Sequence, residues 1–168
     1  MKADFGKIIP FEKLKIWRDS LVGERIVVTN GCFDIVHLGH IHYLRKAKER
    51  GTLLLVGLNS DKSVKLLKGK NRPINNETDR ALFLLAFNFV DFTCVFPDKT
   101  AADFLDLARP SVYIKGGDYN KSNIISSEKE VLTRHKSEIV FTDYIENKST
   151  SNIISVINRG EHSGHQRP

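Results

Sequence analysis

The sequence predicts an α/β fold in a single domain, in which helices cover both faces of a doubly wound parallel sheet of about five strands. Short apolar runs alternate with amphipathic segments along the chain, which is typical of parallel strands joined by right-handed helical crossovers. With 40% hydrophobic and 27% charged residues, the composition is that of a globular protein. The length of 168 residues suits one substantial core.

Local sequence signals place each element. Helices are predicted where apolar residues recur at helical spacing, or where a polar cap such as Ser60 precedes them. Two of them end beside helix-breaking residues, Gly51 and Pro110. The predicted helices are 11–22, 41–50, 62–67, 77–89, 101–107 and 150–157. The predicted strands are 25–29, 53–58, 91–96, 111–115 and 139–142.

One domain is expected over residues 1–158, with residues 1–24 forming a helical extension packed on the rest. The polar tail 159–168 is expected to be disordered. Within the predicted helix 77–89, helical spacing places four apolar residues on one face. These residues are Leu82, Leu85, Ala86 and Phe89.

Composition narrows the function classes without choosing one. No apolar run approaches the roughly 20 residues that cross a bilayer, and the amino terminus lacks the order of a secretory signal, so a cytoplasmic protein is expected. Cys32 and Cys94 have no neighbouring cysteine at metal-ligand spacing and are expected to be reduced packing residues. The net charge of +6 suits a phosphate-rich partner, which leaves nucleic acid, an anionic membrane and a nucleotide open.

In a sheet of this kind, ligands bind beyond the carboxyl ends of the strands. The loops after Thr29, Leu58 and Lys115 are therefore the informative ones. The first reads TNGCFDIVHLGH and places His37 and His40 three residues apart at the start of a helix. Two imidazoles beside the N–H groups of a helix amino terminus suit a polyphosphate, although a solvated histidine pair or half of a metal site would show the same spacing.

GCFDIVHLGH resembles the signature of the cytidylyltransferase-like nucleotidyltransferases, in which a glycine-x-phenylalanine-aspartate run precedes histidine-x-glycine-histidine. The resemblance covers about residues 7–157 and implies a Rossmann-like sheet. It also implies that His37 and His40 contact the triphosphate and stabilise charge at the α-phosphorus. It assigns the residues around them to nucleotide binding: Asn30, Gly31, Cys32, Phe33, Asp34 and Gly39. Asp34 would order the loop or a histidine, or would simply cap the local turn.

Two further segments fit the same family. Lys115 to Tyr119 reads KGGDY, and the resemblance implies base and ribose contacts there, although two glycines after a strand also suit an ordinary turn. The nucleotide-binding residues predicted in this segment are Lys115, Gly116, Gly117, Asp118 and Tyr119. Ser149 and Thr150 match a phosphate-binding pair of the family and are also a helix cap. Several relatives carry an arginine before this pair, where residues 144–148 read YIENK, so the arginine's contribution is missing here.

A basic loop, residues 68–76, follows the second strand–helix unit. A solvated charged loop is the ordinary interpretation. Because relatives place a phosphate-binding lysine there, Lys68 and Arg72 are predicted as mobile clamps on the phosphates, with Lys68 part of the catalytic set. Arg80 is a weaker candidate for the same role.

The combination of LNSDKSVKLLKGKNRPI and IKGGDY is similar to the family's adenylyltransferases that join ATP to D-glycero-β-D-manno-heptose 1-phosphate. This resemblance implies ATP and a sugar 1-phosphate as partners, Mg²⁺ bound mainly through the triphosphate, no protein metal site and a possible homodimer, with neither nucleic acid nor membrane as partner. The rival within the family is a glycerol-3-phosphate cytidylyltransferase. A rival from another class is a nucleotide- or RNA-binding module, but this sequence lacks the aromatic–basic interleaving that binds single strands, and such a module does not explain His37 and His40 together. A dehydrogenase would need G-x-G-x-x-G after the first strand, and the sequence has none there.

Overall fold

Five parallel strands and six α-helices make up the described part of the chain, which is residues 7–116 and 123–142 and the single residue Ile154 in this computed structural model. The strands are β1 Ile26–Gly31, β2 Leu53–Asn59, β3 Phe92–Phe96, β4 Val112–Lys115 and β5 Glu138–Phe141. The helices are α1 Leu14–Asp19, α2 Leu38–Lys48, α3 Asp61–Lys68, α4 Glu77–Leu85, α5 Ala102–Ala108 and α6 Ser126–Arg134, and a short 3₁₀ turn, Phe11–Lys13, precedes α1.

The strand order is β3-β2-β1-β4-β5, with every neighbouring pair parallel. The chain therefore runs outward from β1 to β3 and then crosses to the other side of β1, where Val27 lies opposite Val112. This is the predicted doubly wound, Rossmann-like sheet. Its order reverses between β1 and β4, so a crevice is expected at their carboxyl ends.

Alternate residues of the strands supply the two halves of the core. Val28 faces the half that α1, α5 and α6 cover, and Val27 faces the half that α2 and α4 cover. The α1 helix packs on the sheet, because Trp17 is 3% exposed and meets the Phe92 ring edge-on at 5.0 Å. No helix in the described ranges is both long and apolar enough to span a membrane.

The prediction for the helix that begins at Glu77 is wrong in two respects, its end and its buried face. The helix beginning at Glu77 ends at Leu85, and its inward residues are Arg80, Ala81 and Leu84, whereas Leu82 is 54% exposed. The predicted apolar face failed because an arginine occupies part of the buried side.

α6 was not predicted at all. Only three residues of its segment, SSEKEVLTR, are buried, and one of them is the carboxylate Glu128. A charged residue on the buried side hides the apolar periodicity by which a helix is recognised. The predicted helix 150–157, apart from Ile154, and the predicted disordered tail 159–168 lie outside the described residues.

Candidate active site

The carboxyl ends of β1, β2 and β4 bring the predicted site loops to one edge of the sheet. β1 ends at Gly31, β2 at Asn59 and β4 at Lys115. Because the strand order reverses between β1 and β4, the crevice at this edge is where open α/β sheets bind their ligands. We call residues 32–37, which connect β1 to α2 across this edge, the phosphate loop, after the phosphate contact that the sequence predicts beside it.

His37 and His40 lie together at the amino-terminal end of α2. His37 directly precedes the first helical residue and has an extended backbone, with φ −137° and ψ 172°. The two imidazole rings stack, with centroids 3.9 Å apart and planes inclined by 29°. The three-residue spacing thus puts both rings beside the helix terminus, where the first N–H groups lack acceptors within the helix.

His40 is a neutral hydrogen-bond donor at neutral pH. Burial, followed by the neighbouring charge of His37, lowers the pKa of His40 from 6.5 to about 4. Its Nδ1 accepts the backbone N–H of His37 at 3.3 Å, which assigns the single ring proton to Nε2. An imidazole held in this tautomer can donate to a phosphate oxygen without first taking up a proton.

Phe33, within the phosphate loop, packs its ring against that of His40. Its backbone is left-handed, with φ +46°, a conformation that non-glycine residues adopt rarely. Its ring is 6% exposed and lies 5.1 Å from the His40 ring between centroids. A Cβ on Gly31 would come within 3.0 Å of the same ring, so the glycine makes room for Phe33 as well as leaving the backbone accessible.

Asp34 anchors the basic loop to the phosphate loop. Its Oδ1 accepts the backbone N–H groups of Ile74 and Asn75 at 2.8 and 3.0 Å. Its Oδ2 lies 3.0 Å from Nε of Arg72, whose side chain is only 18% exposed. Asp34 therefore orders a loop about 40 residues away rather than capping a local turn. Arg72 is held rather than loose, and its contact with phosphate stays a prediction.

Arg80 does not fit the predicted role of a substrate clamp. Its side chain is fully buried, and its guanidinium donates to the backbone carbonyls of Cys32, Asn59 and Asn75 at 2.5, 2.8 and 3.1 Å. It also pairs with the Asp61 carboxylate at 2.8 Å. Since these protein groups engage all three guanidinium nitrogens, Arg80 belongs to the framework of the site.

Lys68 is the exposed cation at the start of the basic loop. It is the last residue of α3, and its positive charge acts on Cys32 in the phosphate loop. Burial raises the pKa of the Cys32 thiol, while Lys68 is the largest influence that opposes the rise. Lys68 is thus placed to attract an anion at this edge, and its direct contact with phosphate stays a prediction.

Lys115 and Asn30 belong to a buried polar network beneath the crevice. Nζ of Lys115 lies 3.2 Å from Oε2 of Glu128, 2.8 Å from the Tyr113 hydroxyl and 3.2 Å from Oδ1 of Asn30. The Tyr113 hydroxyl donates to the same Asn30 oxygen at 2.6 Å. Burial lowers the pKa of Lys115, and Glu128 opposes that shift. In these contacts the two residues tie α6 to β1 and β4, and their predicted nucleotide contact is untested.

Gly116 has a neighbour that the sequence did not reveal. A Cβ at this position would meet the Tyr43 ring at 2.8 Å, and the Tyr43 hydroxyl donates to the Ile114 carbonyl at 2.9 Å. The glycine is required by the packing of α2 on β4, whatever a ligand needs there. Burial raises the pKa of the Tyr43 hydroxyl above its usual range.

Tyr43, Tyr113 and Glu128 organise the site, although no sequence motif indicates them. Tyr43 follows His40 by three residues on α2, which is the one signal that could have placed it at this edge. Five predicted nucleotide-binding residues lie outside the described residues: Gly117, Asp118, Tyr119, Ser149 and Thr150.

The cytidylyltransferase-like family model matches residues 28–160, which include β1 from Val28 onward, the phosphate loop and the whole described sheet edge. This chain belongs to the cytidylyltransferase-like family. The resemblance inferred from GCFDIVHLGH is thereby confirmed, and with it the prediction of a nucleotidyltransferase.

Two relatives of this cytidylyltransferase-like chain are the bifunctional proteins HldE of Campylobacter jejuni and Campylobacter fetus. The first is 47% identical over 156 residues, covering 93% of this chain and 32% of its own length. The second is 44% identical over 152 residues, covering 88% of this chain and 32% of its own length. The chain therefore spans about a third of the length of these relatives.

The fold recurs in a solved structure, the lipopolysaccharide core biosynthesis protein of Thermoplasma volcanium. Its TM-score is 0.60 at 24% sequence identity, and the match covers 75% of this cytidylyltransferase-like chain and 100% of the other. At this identity the likeness supports the fold alone.

Proposed function

We propose that the chain transfers AMP from ATP to D-glycero-β-D-manno-heptose 1-phosphate, forming ADP-heptose and pyrophosphate for a surface glycan such as lipopolysaccharide. The observation that carries the reaction type is the stacked pair His37 and His40 at the amino terminus of α2, at the point where the strand order reverses. The choice of ATP and heptose is supported by the motif resemblance and by the 44–47% identity to HldE proteins.

In the proposed reaction, a phosphate oxygen of the sugar 1-phosphate attacks the α-phosphorus in line. The new phosphorus–oxygen bond forms as the bond to the β-phosphate bridging oxygen breaks, and pyrophosphate leaves with that electron pair. No covalent enzyme intermediate is needed. The neutral Nε2–H of His40 and the first N–H groups of α2 would donate to oxygens on which negative charge grows, and Lys68 would offset charge on the leaving group.

We propose that Mg²⁺ would be held through the substrate rather than through a protein cage. Within the described ranges, no group of three or more His, Cys, Asp or Glu side chains is placed to hold a metal, and Asp34 is already engaged by Arg72 and loop amides. Triphosphate oxygens and water would supply the ligands, as Mg²⁺ commonly requires at nucleotide sites. When bound, the ion would neutralise phosphate charge, while the chain's own residues orient the phosphates.

The test is pyrophosphate release by the purified full chain, with ATP or CTP as donor and heptose 1-phosphate or glycerol 3-phosphate as acceptor. Release with ATP and heptose 1-phosphate, and at least about tenfold less with the other pairs, is the expected result. Release only with CTP and glycerol 3-phosphate would move the chain to the rival cytidylyltransferase reaction. No release from any pair, while nucleotides still bind, would instead favour a nucleotide-binding module.

A further inference from the structure

Arg80 connects three loops at the edge of the sheet where the histidine pair lies. Its carbonyl acceptors are Cys32, directly after β1; Asn59, the last residue of β2; and Asn75, in the basic loop before α4. One buried side chain therefore sets the relative positions of all three loops. A planar guanidinium can make these divergent bonds together, whereas a lysine ammonium is a single point on a flexible stem.

The burial of this cation is balanced locally. Asp61, at the start of α3, lies 2.8 Å from Nη2 of Arg80 and is itself 31% exposed. The backbone N–H of Asp61 donates to Oε2 of Glu77, at the start of α4, at 2.7 Å. The Asp61–Glu77 hydrogen bond thus joins the amino-terminal ends of α3 and α4. Arg80 is held by the Asp61 carboxylate as well as by the three loop carbonyls.

The bond to Cys32 has a direct consequence for the histidines. The Cys32 carbonyl belongs to the peptide that joins Cys32 to Phe33, here called the loop peptide. Rotation of the loop peptide about the next N–Cα bond is the φ of Phe33, which is held at +46°. Arg80 donates a hydrogen bond to this carbonyl at 2.5 Å. The bond restrains Phe33 in a left-handed backbone conformation that phenylalanine does not favour by itself.

The Phe33 ring carries the restraint to His40. The two rings lie 5.1 Å apart between centroids, and the His40 ring stacks in turn on His37. We infer that Arg80 is a positioning residue that orients His40 for phosphoryl transfer through the loop peptide. This assignment replaces the substrate clamp predicted for Arg80, and its kinetic part rests on the proposed function.

The experiment compares Arg80→Lys with the wild-type full chain. Lysine keeps a positive charge near Asp61 and cannot bond all three carbonyls, so the loop peptide relaxes. We expect kcat for pyrophosphate release to fall about 10- to 100-fold, with the KM for ATP changed less than about threefold. We also expect the pKa of His40, read by NMR from its ring resonances, to rise from about 4 toward 6.5 as the ring gains solvent.

Two further variants separate positioning from lost stability. Asp61→Asn weakens the Arg80–Asp61 pair at its exposed end, so it should lower kcat and raise the pKa of His40 by smaller amounts than Arg80→Lys does. This variant keeps the test available where Arg80→Lys fails to fold. Leu105→Ala removes packing on the other face of the sheet and should lower the unfolding temperature without moving the pKa of His40.

A His40 pKa in folded Arg80→Lys or Asp61→Asn that equals the value measured in the wild-type chain would overturn the inference. The inference would also be overturned if Leu105→Ala, at an equal loss of stability, lowered kcat as much as Arg80→Lys does. If the wild-type protein releases no pyrophosphate from any substrate pair, the proposed function fails, and the pKa measurement still decides the role of Arg80.

Discussion

Replacing His40 by asparagine separates the two roles of its imidazole. The amide oxygen of asparagine lies as far from the backbone as Nδ1 does, so it can still accept the His37 N–H that Nδ1 accepts at 3.3 Å. Asparagine has no group at the position of Nε2, where the neutral ring carries its proton. His40→Asn therefore keeps the local bond at the helix terminus and removes the donor assigned to the phosphate.

The structure predicts a larger effect on rate than on stability. Loss of one preorganised donor to a charged transition state costs about 10²- to 10³-fold in kcat, or roughly 3–4 kcal/mol. The mutation also removes two ring contacts, to His37 at 3.9 Å and to Phe33 at 5.1 Å between centroids. Each is worth about 0.5–1.5 kcal/mol, and a domain of this size loses about 2–4 °C of unfolding temperature per kcal/mol.

The assay is pyrophosphate release at saturating ATP and heptose 1-phosphate at neutral pH, beside thermal unfolding of the same samples. His42→Ala is the matched control, since His42 lies on the same helix and is exposed. We expect His42→Ala to stay within about twofold of the wild-type kcat, as for surface substitutions away from the site. A His40→Asn kcat within about threefold of wild type would refute donation from Nε2 as a main source of catalysis.

Other measurements test the framework around the site. Burial lowers the pKa of His40 from 6.5 to about 4, so the unfolded chain binds this proton more tightly than the folded chain does. In urea unfolding, the free energy of unfolding should therefore fall by at most about 3 kcal/mol as the pH is lowered from 6.5 to 4, and His40→Asn should lose that part of the fall. Gly116→Ala would place a Cβ 2.8 Å from the Tyr43 ring and should cost about 1–3 kcal/mol; an unchanged unfolding temperature would contradict this packing. Glu128→Gln leaves the buried Lys115 ammonium without its carboxylate and should cost about 3–5 kcal/mol. The double variant with Lys115→Met should recover part of that loss, and strictly additive losses would argue against the pair.

The order of strands and helices was predictable because its signals are local. Apolar runs such as Leu53–Asn59 are buried almost throughout, and a capping serine, Ser60, accepts the backbone N–H of Ser63 where α3 begins. The inward face of α4 was not predictable, since Arg80 is buried there only because acceptors from other loops surround it. The helix α6 was not predictable for the same reason, because the charged residue Glu128 lies on its buried side.

The fold class, the family and the histidine pair were predictable from the amino-acid residues alone. Residues three apart at a helix terminus must be neighbours, whatever the rest of the chain does, so His37 and His40 could be placed together from their spacing. The partners of the charged residues, in contrast, became visible in the folded chain. The sequence suggests Arg80 as a phosphate clamp and Lys115 as a nucleotide-binding residue, and the fold buries each of them against a carboxylate from another segment of the chain. A residue's charge can be read from its letter, while its counter-charge depends on which segments the fold brings together.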